Sequence, residues 1–357
     1  MTLAGIAMVA RRSRHRGDVS RDDSCAGSRG RVRLLPWAMF CLCAVMPLSA
    51  AAGGAQQSTA PDMPPVVQPL APPADRTAAA VAVLAPYRYG DLLWENDRTA
   101  HRIYGKPLEA VEPPSGSGID SWGKNVPWPF ADRQLRTGDQ HNYHGEGLDF
   151  YDVGTSRGAG GLGIWFDNKL WTSRNFVRHR ILHSGGQTAD FVVGYAPWPV
   201  DVKRRVWETR RFTLPLGTSF TRLVSIISSD TSEPLLVGIG IAKSGRANQP
   251  GQLTVDRKRG LLSWWGAPDG DHGRMAVAVR VDPTMIADIR EDHDNFLVIL
   301  KVSPGKPFVY YSGSAWDKGQ GGFRTRAAWD SYAASAPLDF RVPDDTSAVM
   351  RTGWKSK

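Results

Sequence analysis

Residues 139–152 read DQHNYHGEGLDFYD, a run that places two histidines, two tyrosines and four carboxylates together. Three readings suit such a set. In the first, Asp139, His141, His144 and Glu146 surround a divalent metal, since imidazole and carboxylate are common ligands. Against it, the H-x-x-H spacing of His141 and His144 lacks both H-E-x-x-H and a helical context that would bring the two rings onto one face. In the second, one imidazole or phenol moves a proton to or from a sugar C–H or O–H within hydrogen-bond reach. His144 and Tyr143 are the candidates for that role, Glu146 is a further candidate catalytic carboxylate, and His141 and Asp149 are candidate ligand contacts. In the third, the run is a loop that satisfies its own hydrogen bonds and packs on Tyr143, Phe150 and Tyr151.

Two other segments carry comparable groups. In LLWENDRTAHRIYG (92–105), read as one strand, Glu95, Asp97 and Thr99 face one way and Asn96 and Arg98 the other. That is either an ion-paired edge strand or a carboxylate-binding surface in which Asn96 and the planar fork of Arg98 hold an acidic sugar. In RRVWETRRF (204–212), Glu208 and Arg210 share a parity that Trp207 does not. Glu208 is a candidate catalytic carboxylate, Arg210 a reserve carboxylate contact and Trp207 a stacking platform; the bland alternative is a cross-strand charge ladder. His179 and His183 read as solvated or core histidines. The glycine-rich TSRGAGGLGIWFDNKLW (155–171) lacks G-K-[ST] and runs into a strand pattern rather than a helix, which argues against a phosphate loop. Its glycines read as close backbone approaches or a sheet corner.

The chain that must position these groups has 357 residues and a net charge of +9. Residues 1–33 carry eight arginines against three aspartates, so +5 of that charge sits there and +4 remains for the rest. So weak and dispersed a charge excludes a nucleic-acid surface as the reading. The apolar run LLPWAMFCLCAVMPLSA (34–50) follows, then small residues, which together describe a secretory signal peptide cleaved after Ala50 or Ala52. Its two prolines and short length argue against a membrane span. MFCLC lacks the small residues that precede a lipidated cysteine. Cys25, Cys41 and Cys43 are the only cysteines, and all lie in this leader. The mature chain is therefore expected to lack disulfides, thiolate metal sites and a cysteine nucleophile.

The expected organisation is a leader over 1–52, a disordered Pro/Ala-rich tether over 53–80, one domain over 81–342 and a tail over 343–357. The middle of the chain is β-rich. Runs at 191–198, 200–215, 218–228, 234–243, 260–265, 274–281, 296–302 and 307–313 are rich in β-branched and aromatic residues and separated by turn signals. Over 200–214 the alternation has a period of two, with no 3.6 period. A helix is expected over 324–336, followed by a last strand LDFRV. The spacing predicts an all-β fold, a large antiparallel sandwich with one short C-terminal helix. Thirteen tryptophans and nine tyrosines, many in polar, loop-like contexts, predict a groove lined by stacking platforms.

DLLWENDRTAHRIYG, SGIDSWGKNV, YHGEGLDFYDVG, GAGGLGIW and WETRRFTL, in that order, resemble the bacterial secreted family called domain of unknown function 4861, over residues 85–342. The resemblance implies a galactose-mutarotase-like β-supersandwich of the polysaccharide-lyase class. It also implies a setting of polysaccharide degradation, often of uronate-containing glycans, but no assigned catalytic residue. The expectation is a periplasmic or secreted carbohydrate-active protein whose partner is an acidic oligo- or polysaccharide, with no cofactor. A lyase would neutralise the uronate with Asn96 and Arg98 and take the C5 proton with His144 or Tyr143. A hydrolase would need two carboxylates ~5–10 Å apart, from Glu146, Asp149 and Glu208. An epimerase or mutarotase would pair His144 with Glu208. A non-catalytic glycan-binding protein would use the same groove.

Overall fold

The computed structural model describes residues 71–74, 76–243 and 250–351. The expected leader and most of the expected tether lie outside the described residues. Eighteen strands are the main regular structure of the described residues, and every pairing between them is antiparallel.

The first sheet is formed in chain order by β1 (Val81–Ala85), β2 (Asp91–Glu95), β3 (Ala100–Ile103), β4 (Asp120–Lys124) and β5 (Gly147–Leu148), with helix α1 (Ala131–Arg136) between the last two. Next come β6 (Ala159–Phe166) and β7 (Lys169–Trp171), then the long meander β8 (Phe176–His183), β9 (Thr188–Pro199), β10 (Arg205–Pro215) and β11 (Phe220–Ser229). The remaining strands are β12 (Leu235–Ala242), β13 (Gln252–Asp256), β14 (Leu261–Trp265), β15 (Met275–Val281), β16 (Ile286–Glu291), β17 (Asn295–Val302) and β18 (Pro307–Trp316). Helices α2 (Arg326–Ser335) and α3 (Thr346–Arg351) close the described chain. An eight-stranded sheet runs β13-β14-β15-β18-β11-β10-β9-β8, and a second five-stranded sheet runs β16-β17-β12-β6-β7.

Alternation along the long strands decides how these layers stack. In β15, Met275, Val277, Val279 and Val281 enter one core while Ala276 and Ala278 enter another, so both faces of the sheet are dry. The inner face packs on Leu162, Ile164, Val237, Ile239 and Ile241 of the second five-stranded sheet and on Leu92, Trp94 and Ile103 of the first. Trp94 makes the join with the first sheet: its ring lies 5.4 Å from Phe191 and 5.1 Å from Phe212, and its Nε1 donates to Thr221 Oγ1 at 3.0 Å. On the outer face, α2 lays Trp329 and Ala333, one helical turn apart, over the sheet. Thr325 caps its N-terminus, and Arg280 donates to the carbonyls of Ala333 and Ala334 at its end, meeting acceptors that a helix leaves unpaired.

The expected all-β antiparallel sandwich is what the chain builds, with three local differences. LDFRV forms no strand; Tyr311 Oη instead donates to the Asp339 carbonyl at 2.8 Å and Phe340 packs edge-on against the Tyr311 ring. The 92–105 segment is a hairpin rather than one strand. Asn96 accepts the N–H groups of Arg98 and Thr99 on its side-chain oxygen and turns the chain between β2 and β3, as short amides do in Asx turns, so the single-strand parity does not hold. Most of the loop-like tryptophans are core residues: Trp122, Trp198, Trp264, Trp265 and Trp316 are all buried. The glycine-rich run behaves as its pattern suggests. Gly158, at φ +57°, bridges to Ile119, and a Cβ there would sit 2.1 Å from the Ile119 carbonyl oxygen.

Candidate functional site

The first sheet carries a charged network under its edge. Arg102 of β3 faces Asp120 of β4 in direct register. Its Nε donates to Asp120 Oδ2 at 3.0 Å, and its Nη2 lies 2.8 Å from the same oxygen and 2.9 Å from Asp149 Oδ2. Asp91, at the start of β2, stands 3.9 Å from Nη1 and accepts the Gly105 N–H. Trp122 Nε1 and the Ser121 N–H also donate to Asp120. All four charged groups are buried. Burial opposes the Arg102 charge, but Asp120 and Asp149 outweigh it and hold the guanidinium above its ordinary range. Burial pushes the Asp91 carboxyl up to about 6 even though Arg102 pulls the other way.

Above this network lies a cleft of about 290 Å³. Arg102, Tyr104, Gln140, His141, Asp149 and Asp152 contribute to its walls, and Arg88, Glu112 and Ser115 to its far side. Three elements place the 139–146 loop against it. Glu95 accepts the N–H groups of Phe130 and Ala131 at the start of α1. From α1, Gln134 reaches the carbonyls of Gln140 and Asn142. The Asp149 N–H then closes the loop onto the Gln140 carbonyl at 2.8 Å.

His141 is the half-exposed imidazole of this cleft. Its Nδ1 lies 2.8 Å from the Asp149 carbonyl oxygen, which can only accept. That contact assigns the proton to Nδ1 and leaves the lone pair on Nε2, which lies 3.2 Å from the Gln140 side-chain nitrogen, a donor. The tautomer is thus set by its neighbours. Burial and the nearby Asp120 carboxylate push the Tyr104 phenol well up, so it stays a neutral donor. Burial does the same to Tyr151. The arrangement supplies a base with a fixed tautomer, two neutral phenols and carboxylates of different commitment: Asp149 is tied to Arg102, whereas Asp152 is exposed.

Of the residues singled out from sequence, His141 and Asp149 line this cleft. Tyr143 is half-exposed on the outside of the loop, bonded to Asn125 and the Gly145 carbonyl and edge-on to Trp316. His144 pairs with Asp139 at 3.1 Å in the open. Glu146 accepts from Trp128 Nε1 and Arg133 Nη2. Of Asp139, His141, His144 and Glu146, only Asp139 and His144 meet, and no group of three or more potential metal ligands forms among the described residues.

The remaining assignments change more sharply. Glu208 and Arg210 have no exposed surface and bond to each other through two contacts of 2.7 Å. They share the inward parity of Val206, Phe212 and Leu214, so neither lines the cleft. Asn96 is buried and spends its amide on the carbonyls of Pro215 and Thr218. Arg98 donates to Ser219 and the Gly321 carbonyl and rests on the Tyr332 ring. Trp207 is partly exposed, but on the outer parity of β10, away from the cleft. Sequence reasoning missed Asp91, Asp120, Gln140, Tyr104 and Arg88. The available signal was the pair of opposite charges in AHRI and IDSWG, each flanked by apolar residues.

This fold and cleft define an antiparallel β-sandwich with a surface cleft of mixed charge. The chain belongs to the family described as Domain of unknown function (DUF4861), whose model matches residues 56–341. It is 29% identical over 289 residues to Uncharacterized protein P7 of Formosa agariphila, covering 76% of this chain and 71% of that one. Among solved structures it is similar to a human-microbiome chain assigned as a kojibiose phosphorylase (TM-score 0.38, 8% identity, 71% of this chain and 35% of that one). It is also similar to a heparinase III (0.36, 12%, 67% and 36%). A third is the GH36 α-galactosidase AgaB of Geobacillus stearothermophilus (0.33, 9%, 67% and 41%). The chain thus spans well under half the length of each of these structures.

Proposed function

We propose that this protein is a secreted carbohydrate-active enzyme that binds a glycan in the cleft over Arg102 and uses His141 to move a proton. The observation that carries this reading is the His141 geometry at the cleft wall: Nδ1–H is held by the Asp149 carbonyl, and the Nε2 lone pair accepts from the Gln140 amide, a contact that a substrate proton would replace. An imidazole so oriented suits abstraction of a proton from a sugar carbon. Two-carboxylate hydrolysis is less well supported, because the Asp149 carboxylate is already engaged by Arg102 at 2.9 Å.

For an acidic sugar, Arg88 takes over the carboxylate contact first assigned to Asn96 and Arg98. It lines the cleft and is paired with the half-exposed Glu112 at 2.6 Å. Such a surface pair contributes little, about 0–1 kcal/mol, and can be exchanged for a substrate carboxylate. Lyase or epimerase chemistry on a uronate-containing glycan is therefore our reading. Secretion rests on the leader's pattern of arginines, apolar run and small residues.

A panel of uronate-containing and neutral oligosaccharides tests it. Ultraviolet absorbance of an unsaturated uronide, or a change in sugar stereochemistry by NMR, is expected with at least one acidic substrate. Binding without turnover across the panel would replace the enzyme with a glycan-binding protein.

A further inference from the structure

The inter-sheet core contains a second charged group that the cleft does not use. Arg210 of β10, Tyr195 of β9 and Tyr310 of β18 lie together on the eight-stranded sheet, and Arg157, just before β6, interacts electrostatically with Arg210 and Tyr195. Gly240 of β12 makes room for Arg157, since a Cβ there would lie 2.9 Å from its Cβ and Cγ. Arg157 is 2% exposed and Arg210 0%.

The charges do not balance. Arg210 is matched by Glu208, which Ser225 also supports. Among the described residues Arg157 has no carboxylate within ion-pair distance. It donates only to Ser117 Oγ and the Thr155 carbonyl. Burial, and then the Arg210 charge, push its guanidinium down to about 10. Arg210 thus has a carboxylate in contact, whereas the carboxylates that act on Arg157, Asp292 and Asp294, do so from beyond ion-pair distance. Three polar atoms there have no hydrogen-bond partner: Arg157 Nε, Arg210 Nη1 and Tyr195 Oη. The Arg210 guanidinium carbon lies 5.2 Å from the Tyr195 ring, and the three groups influence one another electrostatically.

Arginine cannot shed its charge in a protein, and an unpaired buried charge is costly. Ordered water would satisfy the three atoms but leave Arg157 without a close counter-ion. A small anion would do both. We propose that Arg157, Arg210 and Tyr195 form an internal binding site for a monovalent inorganic anion of chloride type, held between the two sheets. The site is separate from the glycan cleft and stabilises the packing of Arg157 against the eight-stranded sheet.

Bromide tests this directly. Crystals of the mature protein grown in sodium bromide should show an anomalous scatterer in contact with Arg157 Nε and Arg210 Nη1. In solution, bromide or chloride should raise the melting temperature saturably, by about 2 °C or more over sodium gluconate at equal ionic strength. Tyr195→Phe keeps the ring and removes one donor, and should weaken the halide midpoint by about tenfold. Water in place of bromide, or equal melting in halide and gluconate, would overturn the proposal.

Discussion

His141 and His144 lie three positions apart, yet their surroundings give them different work. His144 pairs with Asp139 where water screens both. His141 is fixed by the Asp149 carbonyl and by Gln140 at the wall of the cleft. The same contrast separates the arginines. Arg102 is locked among three aspartates, whereas Arg88 holds one half-exposed glutamate. Replacing Arg88 with alanine should raise KM for an acidic glycan about tenfold, as expected for loss of one charge-assisted contact. Neutral analogues should be unaffected, and steady-state kinetics on paired acidic and neutral substrates read the difference. Replacing Arg102 with methionine should instead cost about 3–5 kcal/mol, because it strands buried carboxylates. Denaturant unfolding measures that loss.

At the scale of the elements, the β2–β3 hairpin joins the cleft to the core. His101 of β3 stacks on Trp94 at 5.0 Å and lies 3.1 Å from Thr99 Oγ1. Burial depresses its pKa from 6.5 to about 3. A depressed folded value means the unfolded chain takes up the proton first as the pH falls. The His101 contribution is therefore fully present above pH 6.5 and is lost progressively toward pH 3, amounting to several kcal/mol. Stability measured from pH 7 to 4 should fall less steeply in His101→Gln than in the wild type. This hairpin is also where legibility from sequence was poorest. All five residues of β2 and all four of β3 are buried, so no alternation marks them. Strand β10, by contrast, shows its period of two openly.

Across the whole molecule, the same alternation carried an implication about Glu208 and Arg210. They share parity with Val206, Phe212 and Leu214, and that parity is the core face. An account in which Arg210 binds substrate predicts a changed KM on its replacement. The buried pair predicts a different result for Arg210→Met: a loss of about 3–5 kcal/mol in unfolding free energy, with the KM of the folded fraction unchanged. Within the 139–152 run, His141 and Asp149 line the cleft. Which of its side chains turn inward was not legible, because a loop has no period to read. The partners Arg102 and Asp120 reach the site through strand pairing across a separation of 18 residues, with Asp149 a further stretch along the chain. That assembly requires the sheet.

The central claim is that the cleft is catalytic and His141 its proton-transfer group. Turnover and glycan binding should be measured side by side for the wild type, His141→Gln and His144→Ala. The account predicts that His141→Gln loses about 10²-fold or more in kcat while its Kd stays within a few-fold, and that His144→Ala behaves as the wild type. Undiminished turnover in His141→Gln, or its loss in His144→Ala, would contradict it.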